Sequence, residues 1–120
     1  MGMFKKELRD LVKKVEGAYG AVFLAEDGEY VQLTGKLDSH KNNLLGIYQG
    51  ILLQQLRDFS KNLLKDNVDF IISYYEKAIF ITKNLKENYF LVLILSKEGN
   101  VGSGVVAINR TATILNKEIF

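Results

Sequence analysis

At 120 residues, with 48% hydrophobic and 25% charged side chains, the chain matches the usual size and make-up of one soluble domain, which argues against two independent cores. Sixteen basic and fourteen acidic side chains leave a formal charge of +2 and are mixed along the chain, so no nucleic-acid surface is suggested. The sequence contains no cysteine, its first residues (MGMFKKELRDLVKK) carry too many charges for a secretory signal, and its most apolar run, YFLVLIL, is closely bracketed by Glu87 and Lys97. A single cytoplasmic domain over residues 1–120, without membrane insertion, is the expectation.

Phe4, Leu8, Leu11, Val12 and Val15 recur at helical spacing between charges, which predicts an amphipathic helix over 3–16 that ends at Gly17. AYGAVFLAEDGEYVQLTG then reads as a hairpin. Its first strand (18–25) is apolar on both faces and belongs inside a sheet. Its second (29–34) alternates and belongs at an edge, and Gly28 takes a positive φ in the turn between them. Asp38 or Ser39 caps a long helix running to about Lys65, roughly 40 Å at 1.5 Å per residue. Three strands follow in VDFIISYY, AIFITK and YFLVLIL, the last apolar on both faces and therefore central. After GNVGSG, the spacing of Val105, Ile108, Ala112, Leu115 and Ile119 predicts a closing helix, although its β-branched residues weaken the propensity. An α/β (α+β) domain results: a five-stranded antiparallel sheet with helices on both faces.

Three constellations have chemical overtones. Gly99-Asn-Val-Gly102-Ser-Gly104 lies between a strand and a helix, where backbone amides can cradle phosphate, but it lacks the Lys-Ser/Thr of a P-loop and the spacing of a dinucleotide fingerprint. A tight turn and helix entry explains it more simply. His40 adjoins Asp38 and Ser39, but three sequence neighbours at a helix start cannot form a triad relay, and no carboxylate pair stands at ligand spacing for zinc. Glu26, Asp27 and Glu29 read as an exposed hairpin tip. No catalytic residue, cofactor or metal is assigned, and the chain is not expected to be an enzyme.

The long helix carries the strongest functional signal. At about 100° per residue, Leu45, Tyr48, Leu52, Leu56, Phe59 and Leu63 form one stripe, taken here as the sheet-covering side. Leu44, Ile47 and Ile51 form a second patch, while Gly46 and Gly50 share a third side with Leu53 and Arg57. A helix on a sheet needs one apolar face, so the surplus argues for a second partner. Glycines in a helix interior cost about 1 kcal/mol each against Ala. Close approach by another backbone would explain them, as would simple clearance of the sheet.

The order helix, hairpin, long helix, three-strand meander, helix, with Val15, Gly17, Val22, Leu24, Asp27 and Gly28 at the first-helix exit and Leu91–Leu95, Asn100 and Gly102 near the end, resembles the roadblock (dynein light-chain type) family over nearly the whole chain. In particular it is similar to the bacterial gliding-motility GTPase regulators. Longin-like and profilin-like domains combine the same elements and are the nearest alternatives. The resemblance implies that the long helix lies on one face of the sheet and the terminal helices on the other. It also implies a homodimer in which the long helices meet at the twofold and the third strands pair edge to edge, and a helical surface that binds a Ras-like small GTPase. Regulation would include activation of hydrolysis by arranging the GTPase's own groups. The interface it implies comprises Gly46, Ile47, Gly50, Ile51, Leu53 and Arg57 on the helix, with Phe70, Ile72 and Tyr74 on the strand. Rival readings are a structural adaptor of a motor or trafficking assembly, and a ligand-sensing domain using the tyrosine-rich surface.

Overall fold

The structure is a computed structural model that describes residues 2–35 and 39–119, and the side chains of these except at 2, 30 and 39–46. Asp38 therefore lies outside the described residues, as do the side chains of Ser39, His40, Leu44, Leu45 and Gly46. Helix α1 (Gly2–Lys14) buries Phe4, Leu8 and Leu11, and Val15 just beyond it, as their spacing requires. The chain reverses at Gly17, whose φ of 85° suits glycine and whose missing side chain lets Gly99 approach. Strands β1 (Ala18–Leu24) and β2 (Tyr30–Gly35) form the expected hairpin. Gly28 turns it with a φ of 90°, and the Asp27 carboxylate accepts a 3.0 Å hydrogen bond from the Glu29 amide.

Helix α2 (Ser39–Phe59) continues into one π turn (Ser60–Leu64) and stops at Lys65, which adopts a left-handed conformation with its amide bonded back to the Ser60 carbonyl. Strands β3 (Phe70–Tyr74), β4 (Ala78–Asn84) and β5 (Phe90–Ser96) complete the sheet, and helix α3 (Val101–Asn116) closes the chain. The glycine-rich run is the turn and helix entry that the simpler reading favours: the Asn100 side chain accepts a 3.0 Å bond from the Ser103 amide and caps α3.

The sheet order is β2-β1-β5-β4-β3, with every neighbouring pair antiparallel. As expected, the doubly apolar β5 is central and β2 is an edge; β3 is the other edge. One cluster, with Leu8, Leu11, Phe23, Ile81, Leu91, Leu93, Ile108 and Leu115, fills the space beneath α1 and α3. The second cluster, with Val22, Leu24, Leu53, Phe80, Phe90, Val92 and Ile94, lies beneath α2. The long helix thus occupies one face of the sheet and the terminal helices the other.

Candidate functional site

Helix α2 sits on its sheet by a side about a quarter turn round from the one the apolar stripe suggested. Leu53 is fully buried, Gln49 nearly so, and Ser60 is buried. Gly50 meets the Phe90 ring so closely that an added Cβ would stand 2.2 Å from Phe90 Cζ. Arg57 lies on the same side. Its guanidinium donates to the side-chain oxygen of Asn84, at 3.1 Å to the side-chain oxygen of Gln54 on the preceding turn, and at 3.4 Å to each of the Asn88 and Tyr89 carbonyls. Burial pushes the Arg57 pKa down from its usual value, with Glu26 and Asp58 acting in the opposite sense.

The implied interface is corrected here at three positions. Gly50, Leu53 and Arg57 face the protein's own sheet, and simple clearance accounts for Gly50: the bulky Phe90 ring lies directly beneath it, so the helix comes down there with a glycine. Ile47 is partly buried against the same cluster, with its Cγ1 3.5 Å from where a Cβ on Gly28 would lie. Gly46 falls among the side chains outside the description.

The displaced stripe faces outward. Tyr48 is 63% exposed, Ile51 52%, Phe59 52% and Leu63 68%, with Leu52 and Leu64 also exposed. The expectation that Tyr48, Leu52, Phe59 and Leu63 cover the sheet is therefore overturned, and Leu56 is half-buried. Such a row of large apolar side chains is what the centre of an interface presents, whereas isolated exposed apolar residues need no explanation. The surplus is real, but it lies on a different side of the helix.

The neighbouring edge strand carries a second set of apolar side chains, on the face of the sheet away from α2. Phe70, Ile72 and Tyr74 share one face, because Ile72 pairs with Ile81 and Tyr74 with Ile79, both in the cluster beneath α1 and α3. Phe70 is half-buried, with the Lys83 ammonium 5.9 Å from its ring centroid, while Ile72 and Tyr74 are exposed. The segment FIISY carries neither charge nor proline, the devices that normally blunt an exposed edge.

A polar network missed in the sequence links the two parts. Gln49 donates to the Tyr75 hydroxyl at 2.6 Å and accepts from the Ser73 and Thr82 hydroxyls at 3.2 and 3.3 Å. It fixes the first half of α2 over the last two strands before β5, and its only trace in the sequence is a glutamine on the inward side between two glycines. Arg57 makes the matching tie at the other end of α2. Asn84 relays that tie to β3, its side-chain nitrogen donating to the Val68 carbonyl at 3.1 Å and its backbone amide to the Asp69 carbonyl at 3.0 Å. Arg57→Ala is accordingly expected to lower folding stability by about 1–2 kcal/mol, because Asn84 and two carbonyls lose a charged donor. Denaturant titration of both proteins checks this, and an unchanged midpoint would show the tie to be idle.

Among the described residues no group of three His, Asp or Glu side chains converges as a metal site would require, and no helix is long and apolar enough to cross a membrane. Comparison with known proteins gives no matching family model and no matching curated protein. Solved structures match throughout. A Roadblock/LC7 domain from Streptomyces avermitilis superimposes with a TM-score of 0.88 over 96% of each chain at 14% identity. MglB from Myxococcus xanthus gives 0.85 over 96% of this chain and 93% of that one at 13% identity. MglC from Myxococcus xanthus gives 0.72 over 97% of this chain and 98% of that one at 26% identity. The fold is that of the Roadblock/LC7 domains.

Proposed function

We propose that this roadblock-fold chain is a non-catalytic homodimeric scaffold that binds and regulates a Ras-like small GTPase through the outward face of α2. The observation that carries the reading is the exposed row Tyr48, Ile51, Leu52, Phe59 and Leu63 on a helix already fully seated on its own sheet by its other side. The uncharged β3 edge supports it. Two copies pairing antiparallel through Phe70–Tyr74 would continue the sheet and bring both α2 helices onto one side. The likeness to MglB, one structure of which has a tetrameric arrangement, and to MglC points to the same class of assembly protein. With Arg57 engaged within its own fold, and Arg9 and Arg110 on α1 and α3 across the sheet from α2, regulation would act by arranging the GTPase's own catalytic groups and not by an inserted arginine.

The protein is expected to be a dimer at micromolar concentration, and the dimer to bind a GTPase loaded with a non-hydrolysable GTP analogue more tightly than it binds free nucleotide. Light scattering behind size exclusion and titration against Ras-like GTPases in both nucleotide states test the two halves. A 13.6 kDa monomer at every concentration would remove the twofold surface. Failure to bind any such GTPase would leave the structural-adaptor reading in its place.

A further inference from the structure

Opposite the α2 face, on the far side of the sheet, the exposed surface of α1 carries Lys5, Lys6, Arg9, Lys13 and Lys14. Against these five cations the helix has only Glu7, which is half-buried, and Asp10, which pairs with Lys6 at 3.3 Å. At about 100° per residue Lys5, Arg9, Lys13 and Lys6 fall within a single quarter to third of the helix circumference, directed away from the buried Phe4, Leu8 and Leu11. The neighbouring helix extends the patch. Lys14 and Arg110 flank a shallow cleft of about 470 Å³ that also has Ser103 and Val106 in its walls. Val106 and Ile114 on α3 and Met3 on α1 are exposed apolar side chains on this same layer.

From this placement we propose that the α1/α3 face docks on an anionic lipid surface. Its cations would lie against the headgroups, and Met3, Val106 and Ile114 would reach the boundary of the acyl region. A cluster of four to eight Lys and Arg on one helix is the charge density at which headgroup attraction holds a peripheral protein. The apolar face of α1 is committed to the protein's own core, so the helix rests on the bilayer and does not enter it. Nucleic acid fits less well, because no exposed aromatic ring stands among these cations to stack a base. The face is complete in one protomer, so the proposal does not depend on the dimer or the GTPase. It would leave α2 pointing away from the membrane.

Flotation of the full chain with vesicles of phosphatidylcholine alone, and of an equal mixture with phosphatidylserine, tests it. Binding is expected to the mixed vesicles only, and to fade at ~0.5 M salt. Each cation is worth about fivefold in partitioning, so the triple variant Lys5→Gln, Arg9→Gln, Lys13→Gln should bind on the order of 100-fold more weakly, with its circular dichroism unchanged because all three side chains are exposed. Lys61→Gln with Lys65→Gln, on the other face, should bind as the wild type does. Equal binding to both vesicle types, no binding to the mixed vesicles, or an undiminished triple variant would overturn the proposal. Displacement from vesicles by duplex DNA at equal charge concentration would likewise overturn it, reassigning the face to nucleic acid.

Discussion

Gly50→Ala is expected to destabilise the protein by about 1–3 kcal/mol, although the same change on a free helix surface would stabilise it by up to about 1 kcal/mol. The sign follows from one contact. A Cβ at position 50 would stand 2.2 Å from Phe90 Cζ and 2.8 and 2.9 Å from the two adjoining ring carbons. Rotation of the ring about its own axis leaves Cζ in place, so a flip brings no relief. Phe90 is 2% exposed, on the strand at the centre of the sheet, with Val92 and Ile94 beside it in the same cluster. Either α2 lifts or β5 shifts, and lifting α2 strains both the Gln49 network and the Arg57 tie. A larger charged residue such as Gly50→Glu adds further bulk to the overlap and a carboxylate beside Glu26 and Asp27, and should destabilise the fold more than Gly50→Ala does. Chemical denaturation decides between the accounts: an increase in stability on Gly50→Ala would show that position 50 is open and that another backbone, not Phe90, is the reason for the glycine.

Much of this architecture is legible in the sequence because periodicity reports burial directly. Phe4, Leu8, Leu11 and Val15 mark α1, and the unbroken apolar run from Phe90 to Leu95 can only lie where both faces of a sheet are covered. The orientation of α2 is not legible in that way. The rule that the apolar stripe faces the core assumes that a helix has one burial to satisfy. Here the inward side is made of Gln49, Gly50, Leu53, Arg57 and Ser60, and the bulk that fills the gap comes from Phe80 and Phe90 of the sheet. Small and polar positions are read as an outward face unless the residues opposite them are known, and sequence alone does not say which strand residues those are. The same ignorance hides the Gln49 network, whose partners lie 24 to 33 positions away. The surplus of apolar surface was countable from composition and spacing; its location was not.

That rotation of α2 dictates where charge should break assembly while sparing the fold. Ile51→Glu with Phe59→Glu places two carboxylates on side chains that are each 52% exposed, two turns apart on the outward face of α2. Neither residue belongs to the cluster beneath the helix, so folding stability should change by less than about 0.5 kcal/mol per site. In a dimer built around a twofold, each substitution occurs twice, and desolvating four carboxylates opposite apolar side chains has no compensation. Central interface positions commonly cost 2 kcal/mol or more each when they are lost, so dimerisation and GTPase binding should weaken by at least about 100-fold. Leu53→Glu is the contrasting variant: between these two positions along the helix but on its inward side and fully buried, it should unfold the chain instead of splitting the dimer. Light scattering, thermal unfolding and GTPase titration on the three proteins separate the outcomes. A double variant that remains dimeric and binds a GTPase with undiminished affinity would show that the exposed row is a solvated surface and that assembly uses another face; a Leu53→Glu protein that folds and merely dissociates would return the interface to the opposite side of the helix.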